Sequence, residues 1–140
     1  MTRKEIRAFF KTYHEAMSRL DAVTIAAHHA AEGLLESPWA GTVKGRDAIE
    51  QVHRAWFEAF PNATFESKEL LIDSNRVAWL LHVAGTDVGG FMGLAPTGKP
   101  FQFPVVSLCT IEDGHIERIR RVYDFTGFLI QLGVLKAKPL

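Results

Sequence analysis

Asp124 is the residue best placed by its neighbours to do chemistry. It ends the run Ile119-Arg120-Arg121-Val122-Tyr123-Asp124-Phe125. A carboxylate set between two aromatic rings is costly to desolvate, so its pKa should rise. Such a group can take a proton from a carbon next to a carbonyl. The competing use of the same side chain is to cap a helix beginning near Thr126. Arg120 shares its strand face with Asp124 by alternation. If both face inward, the guanidinium lowers the carboxylate's pKa and opposes the general-base role. If a bulge intervenes, Arg120 belongs to the surface or to an interface.

His82 lies within Trp79-Leu80-Leu81-His82-Val83, on the strand face opposite Trp79 and Leu81. It is either a hydrogen-bonded filler or the polar lining of a pocket, in which case it is a third acid/base candidate with Asp124 and Asp87. Asp87 opens a glycine-rich stretch where aspartate commonly serves a turn. The aromatic and thioether side chains are mostly core. Those expected to line a pocket are Tyr13, Met17, Trp39, Trp56, Phe60, Trp79 and Phe91, with Arg120 beside them. The Tyr13 hydroxyl is suited to orienting a ligand carbonyl.

Other chemistries lack their residues. His14 and the pair His28-His29 suggest a metal, but adjacent helical histidines point about a hundred degrees apart, so no metal is expected. The stretch from Gly85 to Gly98 lacks the Gly-Lys-Ser/Thr ending of a phosphate loop. The single cysteine, Cys109, rules out an intrachain disulfide and reads as a small buried hydrophobe.

These residues need elements to position them. Ile6, Phe9, Phe10, Tyr13, Met17 and Leu20 recur at helical spacing, with Thr2 and Glu5 as a capping pair. Asp21 caps a short helix from Ala22 to about His29. Ala31 to Ser37 is a short strand or an irregular edge, and Pro38, Gly41 and Gly45 mark a loop. Ile49, Val52, His53, Trp56, Phe57 and Phe60 predict a helix from Arg46 to Phe60. Strands are predicted over Thr64 to Asp73, Val77 to Thr86, Phe101 to Ile111 and Ile116 to Tyr123. Asp113-Gly114 joins the last two as a tight hairpin. A final helix from Thr126 to Leu132 stops at Gly133. Helices followed by a meander disfavour a doubly wound sheet and point to an α+β class.

The chain has 140 residues, 47% of them apolar and 23% charged, which suits one domain spanning 1–140 with a real core. Lysine plus arginine and aspartate plus glutamate balance at 16 each. That balance disfavours nucleic acid and anionic membranes as partners. No signal-like or bilayer-length apolar run occurs, so a reduced, cytoplasmic setting is expected.

Several stretches together resemble one family. Gly45-Arg46-Asp47-Ala48-Ile49 looks like its third-helix entry and Ala59-Phe60-Pro61-Asn62 like its helix exit. The stretch from Gly85-Thr86-Asp87 through Phe91-Met92-Gly93 to Pro96-Thr97-Gly98 is the most specific, and Glu112-Asp113-Gly114 and Gln131-Leu132-Gly133 follow. The chain thus resembles the SnoaL-like polyketide cyclases of the nuclear-transport-factor-2-like superfamily. It departs at Asp87, where the family has His, at Asn62 and at Thr110.

The resemblance implies a cone-shaped α+β barrel, with N-terminal helices packed on a strongly curved antiparallel sheet. It implies a cofactor-independent enzyme that cyclises or isomerises a hydrophobic carbonyl compound by aldol-type acid/base chemistry. Asp124 would be the acid/base, and Asp87 would point into the pocket mouth. It also implies a homodimer formed through the sheet. Two alternatives accompany it. One is an epoxide-hydrolase-type site in which Asp87, Asp124 and Arg120 converge on a water. The other is a non-catalytic binding module whose pocket polar groups are all satisfied by protein, with Asp124 serving as a helix cap.

Overall fold

Apolar residues at helical spacing begin the fold. Helix α1 (Arg3–Ser18) turns Ile6, Phe10, Tyr13 and Met17 onto one buried face. Thr2 closes its first turn by accepting the Glu5 N–H at 3.1 Å. Helix α2 (Ala22–Ala27) starts at Asp21, whose carboxylate accepts from the Thr24 N–H and hydroxyl. Helix α3 (Arg46–Ala59) buries Ile49, His53 and Phe57, each one turn after the last. Gly45 leads into it at φ 93°, an angle that costs glycine little. The computed structural model describes residues 1–137.

The strands are β1 (His29–Ser37), β2 (Gly41–Lys44), β3 (Thr64–Asp73), β4 (Arg76–Thr86), β5 (Pro100–Glu112) and β6 (His115–Val122). They form one sheet in the order β2-β1-β6-β5-β4-β3. Every neighbouring pair is antiparallel except β1 with β6, which run parallel. The cone-shaped α+β architecture expected from the sequence is therefore present, built on a mixed sheet that does not close. Gly41–Lys44 is a strand where only a loop was expected. Its pairing is the reason, because Val43 and Thr42 lie opposite Leu35 and Glu36 across a tight turn.

Alternation sorts the sheet into two faces. Val77, Trp79, Leu81 and Val83 of β4 are buried under the helices, as are Phe101, Phe103, Val105, Ser107 and Cys109 of β5. Ala78, Leu80, His82 and Leu108 take the outer face.

One irregularity matters for the site. In β6, Ile116 pairs with Ile111, yet Arg118 pairs with Thr110, so Glu117 is an extra residue. A one-residue insertion exchanges the two faces of the strand beyond it. Beyond it Ile119, Arg121 and Tyr123 point inward, and Arg120 and Val122 point out.

Strand β6 ends before β5 begins to need it, so the start of β5 lacks a strand on that side. Helix α4 (Phe125–Leu132) fills the gap. The Gln131 side chain accepts the Gln102 N–H at 2.8 Å and donates to the Gln102 carbonyl at 3.0 Å. Pro104, two residues on, points the same way and has no N–H to satisfy there.

Candidate active site

The inner face of β6 meets α3 and α1 around a narrow, mainly apolar cavity of about 60 Å³. Met17 of α1 and Val52, His53, Trp56 and Phe57 of α3 form one wall. Leu81, Val83, Phe103, Val105, Arg121 and Tyr123 form the sheet wall, and Trp39 stands at the end of β1.

Arg121 is the charged group of this cavity. Its Nη2 donates to the Tyr13 hydroxyl at 3.0 Å. The Tyr13 oxygen lies 2.9 Å from His29 Nε2. Since Arg121 only donates, the tyrosine proton is free for His29, which assigns Nε2 as the acceptor. Burial, opposed by Arg121, pushes the Tyr13 phenol up to about 12. Burial and then Arg121, His28 and Arg46 hold His29 down at about 3, so it stays a neutral acceptor. Among the described residues no carboxylate lies within ion-pair distance of Arg121.

His53 is the histidine that lines the cavity. It is 3% exposed. Its Nδ1 bonds the Ile49 carbonyl one turn back at 2.8 Å, which places a proton on Nδ1. The lone pair of Nε2 has no partner. Burial first, then the Arg121 charge, holds His53 well below the usual histidine range. Trp56 Nε1, on the same helix face, is a buried donor without a partner. Buried polar atoms are seldom left so. Two of them here, on His53 and Trp56, belong to residues lining one cavity.

The structure separates the residues the sequence suggested. Asp124 is exposed and caps α4, with Oδ1 accepting the Gly127 N–H at 2.9 Å. The desolvation expected from Tyr123 and Phe125 does not arise, because the side chain turns away from the inner face. His82 faces the outside of β4, opposite Trp79, as alternation requires, and does not line the cavity. Asp87 is buried and fully engaged within its own loop. Its Oδ1 accepts the Gly90 N–H at 3.2 Å, and its Oδ2 accepts the Thr97 N–H and hydroxyl, each at 3.0 Å. Arg120 is on the outer face beside Glu36, at 3.9 Å. Asp87, Asp124 and Arg120 therefore do not converge, and the epoxide-hydrolase arrangement has no counterpart here.

Of the expected pocket residues, Met17, Trp39 and Trp56 line the cavity. Tyr13 stands one layer behind it, reaching it through Arg121. Trp79 is buried in the core with its indole N–H on Ser67. Phe60 and Phe91 support the wall from behind. Phe60 packs 4.7 Å from Trp56, and Phe91 packs 5.3 Å from Trp39 and 5.7 Å from Trp56. Gly89 lets the glycine-rich loop lie flush on α3, since a Cβ there would sit 2.0 Å from the Glu58 carbonyl oxygen. His53 and Arg121 went unmarked as functional in the sequence. The available signal for His53 was a polar side chain at a core position between Ile49 and Phe57.

Comparison with known proteins gives a consistent picture. The family model of SnoaL-like polyketide cyclases matches residues 7–132. No curated protein matches the chain. Among solved structures, AclR of Streptomyces galilaeus, a candidate hydroxylase, is 25% identical, with 99% of this chain and 91% of that chain covered at a TM-score of 0.84. IdmH of Streptomyces antibioticus, a candidate polyketide cyclase, is 24% identical, with 91% and 97% covered at a TM-score of 0.76. A protein of Catenulispora acidiphila with a ketosteroid isomerase-like fold is 18% identical, with 99% and 100% covered at a TM-score of 0.78. The last two carry the fold alone.

Proposed function

The chain belongs to the SnoaL-like polyketide cyclase family, and on that premise we propose that it is a cofactor-independent enzyme enolising an apolar carbonyl compound for cyclisation or isomerisation. His53 is the base and Arg121 holds the carbonyl oxygen. The observation that carries this is that His53, with a buried and unpartnered Nε2, lines the same apolar cavity as Arg121, which has no carboxylate within ion-pair distance among the described residues.

The chemistry closes on these two groups. Nε2 takes a proton from the carbon beside the carbonyl. The C–H electron pair becomes the enolate double bond, and the negative charge moves to the oxygen against Arg121. The enolate carbon then attacks a second carbonyl, forming the C–C bond, and the new alkoxide recovers the proton from Nε2. A neutral histidine held low is a weak base in the empty cavity. The enolate charge that appears in the same step offsets the cost of the imidazolium. The binding-module alternative predicted Asp124 as a helix cap and pocket polar groups satisfied by protein; Asp124 does cap α4, whereas His53 Nε2 and Trp56 Nε1 have no protein partner.

The test is deuterium incorporation beside the carbonyl of 2-tetralone in D₂O, followed by NMR. Wild type should accelerate it, and His53→Gln should abolish the acceleration. Full acceleration in His53→Gln with loss in Asp124→Asn would return the role to Asp124.

Homodimerisation through the outer sheet face remains part of this proposal. Leu71 of β3, Leu108 of β5 and Val122 of β6 are about half exposed there, on a chain with no net charge to repel a copy. Light scattering on a size-exclusion column should give a dimer that Leu108→Lys converts to monomer. Monomer throughout would remove the claim. Among the described residues no helix is long and apolar enough to cross a membrane.

A further inference from the structure

We infer that the cavity takes its ligand as an anion, an apolar ring compound whose single carboxylate sits against Arg121. The inference rests on the site proposed above and adds the charge of its substrate.

Every element packed around Arg121 presents it with a neutral group. Tyr13 of α1 offers a hydroxyl, His29 of β1 and His53 of α3 offer imidazoles, and Ser107, its partner across β5, offers a hydroxyl. Glu36 on β1 is the carboxylate nearest in register, but it stands opposite Arg120 and pairs with Arg118 and Arg120 on the outer face. Asp87 is consumed by its loop. Arg121, half-buried and lining both the apolar cavity and an open groove shared with Glu36, thus has no carboxylate within ion-pair distance among the described residues. Uncompensated charge in such surroundings is costly, and a bound anion removes the cost. Trp56, another residue lining the cavity, carries a buried indole N–H without a partner. One cation, one N–H donor and walls of Val52, Phe57, Leu81, Val83 and Val105 fit a ring with one carboxylate. A carbonyl by itself would take hydrogen bonds and leave the charge bare, whereas the guanidinium, with one recorded contact to Tyr13, has donors for a carboxylate beside the carbonyl oxygen.

The probe pair is benzoate and benzamide, equal in shape and different in charge. Calorimetry at neutral pH should show benzoate binding about tenfold tighter or better. Arg121→Gln should erase that preference, and Arg121→Lys should retain part of it, with circular dichroism confirming that both variants fold. Equal binding, undetectable benzoate binding, or a preference that survives in folded Arg121→Gln would overturn the inference. No turnover is involved, so the two readings fail separately. Loss of the benzoate preference with intact His53-dependent tetralone exchange removes the anion and leaves the acid/base site. The converse removes the base and leaves an anion-binding pocket.

Discussion

The Arg121 guanidinium and the Tyr13 hydroxyl, 108 residues apart in the chain, meet at 3.0 Å. That contact ties the last strand to the first helix, and Tyr13 hands it on to His29. Tyr13→Phe keeps the ring and removes the link. It leaves His29 Nε2 buried without a partner and Arg121 without its hydrogen bond. Urea denaturation should show a loss of about 1–3 kcal/mol. An unchanged midpoint would mean that the chain of contacts contributes nothing to stability.

His53 and Asp124 should part company when each is replaced. His53→Gln should cost about two to four orders of magnitude in proton-transfer rate. Asp124→Ala should cost roughly 0.5–2 kcal/mol of stability, the usual worth of a cap, with the rate of the folded enzyme preserved. Gly127→Ala should imitate it, because a Cβ at that position would lie 2.2 Å from Asp124 Oδ2. Rate loss in Asp124→Ala at full stability would contradict the assignment.

Acid should destabilise the fold from about pH 6.5 downward. His29 and His53 are neutral when folded, with pKa values at about 3 and well below 6.5, and they recover ordinary values when unfolded. Between those limits the unfolded chain binds more protons, so stability falls as pH falls, by roughly 1.4 kcal/mol per pH unit for each histidine. Denaturation curves at a series of pH values measure the slope. His53→Gln should shallow it, and an identical slope would show that His53 is already charged in the fold.

Asp87 should behave as a latch. All three of its bonds come from donors, two of them backbone N–H groups. Asp87→Asn turns an NH₂ toward them and should cost about 1–3 kcal/mol. Limited proteolysis should then cut within residues 88–98 faster than in wild type, and equal cutting rates would argue that Phe91 alone anchors the loop.

Much of the architecture was legible because local rules and the fold agree. The Thr2–Glu5 cap, the periodicity around Ile49 and Phe57, and the Gly133 stop all lie where sequence placed them. Asp113 and Gly114 both take positive φ, as their hairpin demands. The site was less legible, for one physical reason above the others. Glu117 adds a residue to β6, so the buried Ile116 gives no guide to which face Arg121 takes; Arg120 and Asp124, both beyond the bulge, do share a face as alternation requires, but it is the outer one. Bulges leave little trace in side-chain types. Asp124 looked buried because its neighbours are aromatic, yet Tyr123 turns inward while Asp124 turns out. The parallel join of β1 to β6 was hidden as well, since nothing local in His29–Ser37 names a partner so distant.

That join has a consequence for how the chain is made. Strand β1 leaves the ribosome about ninety residues ahead of Arg121. At about 5–20 residues per second, His29 and Leu35 wait roughly 5–20 s for the strand that will bury them. Over that interval β1 has only β2 beside it, and the edge that will take β6 stays open. The cavity is therefore a late event of synthesis, closed only when the final strand slides in beside the first.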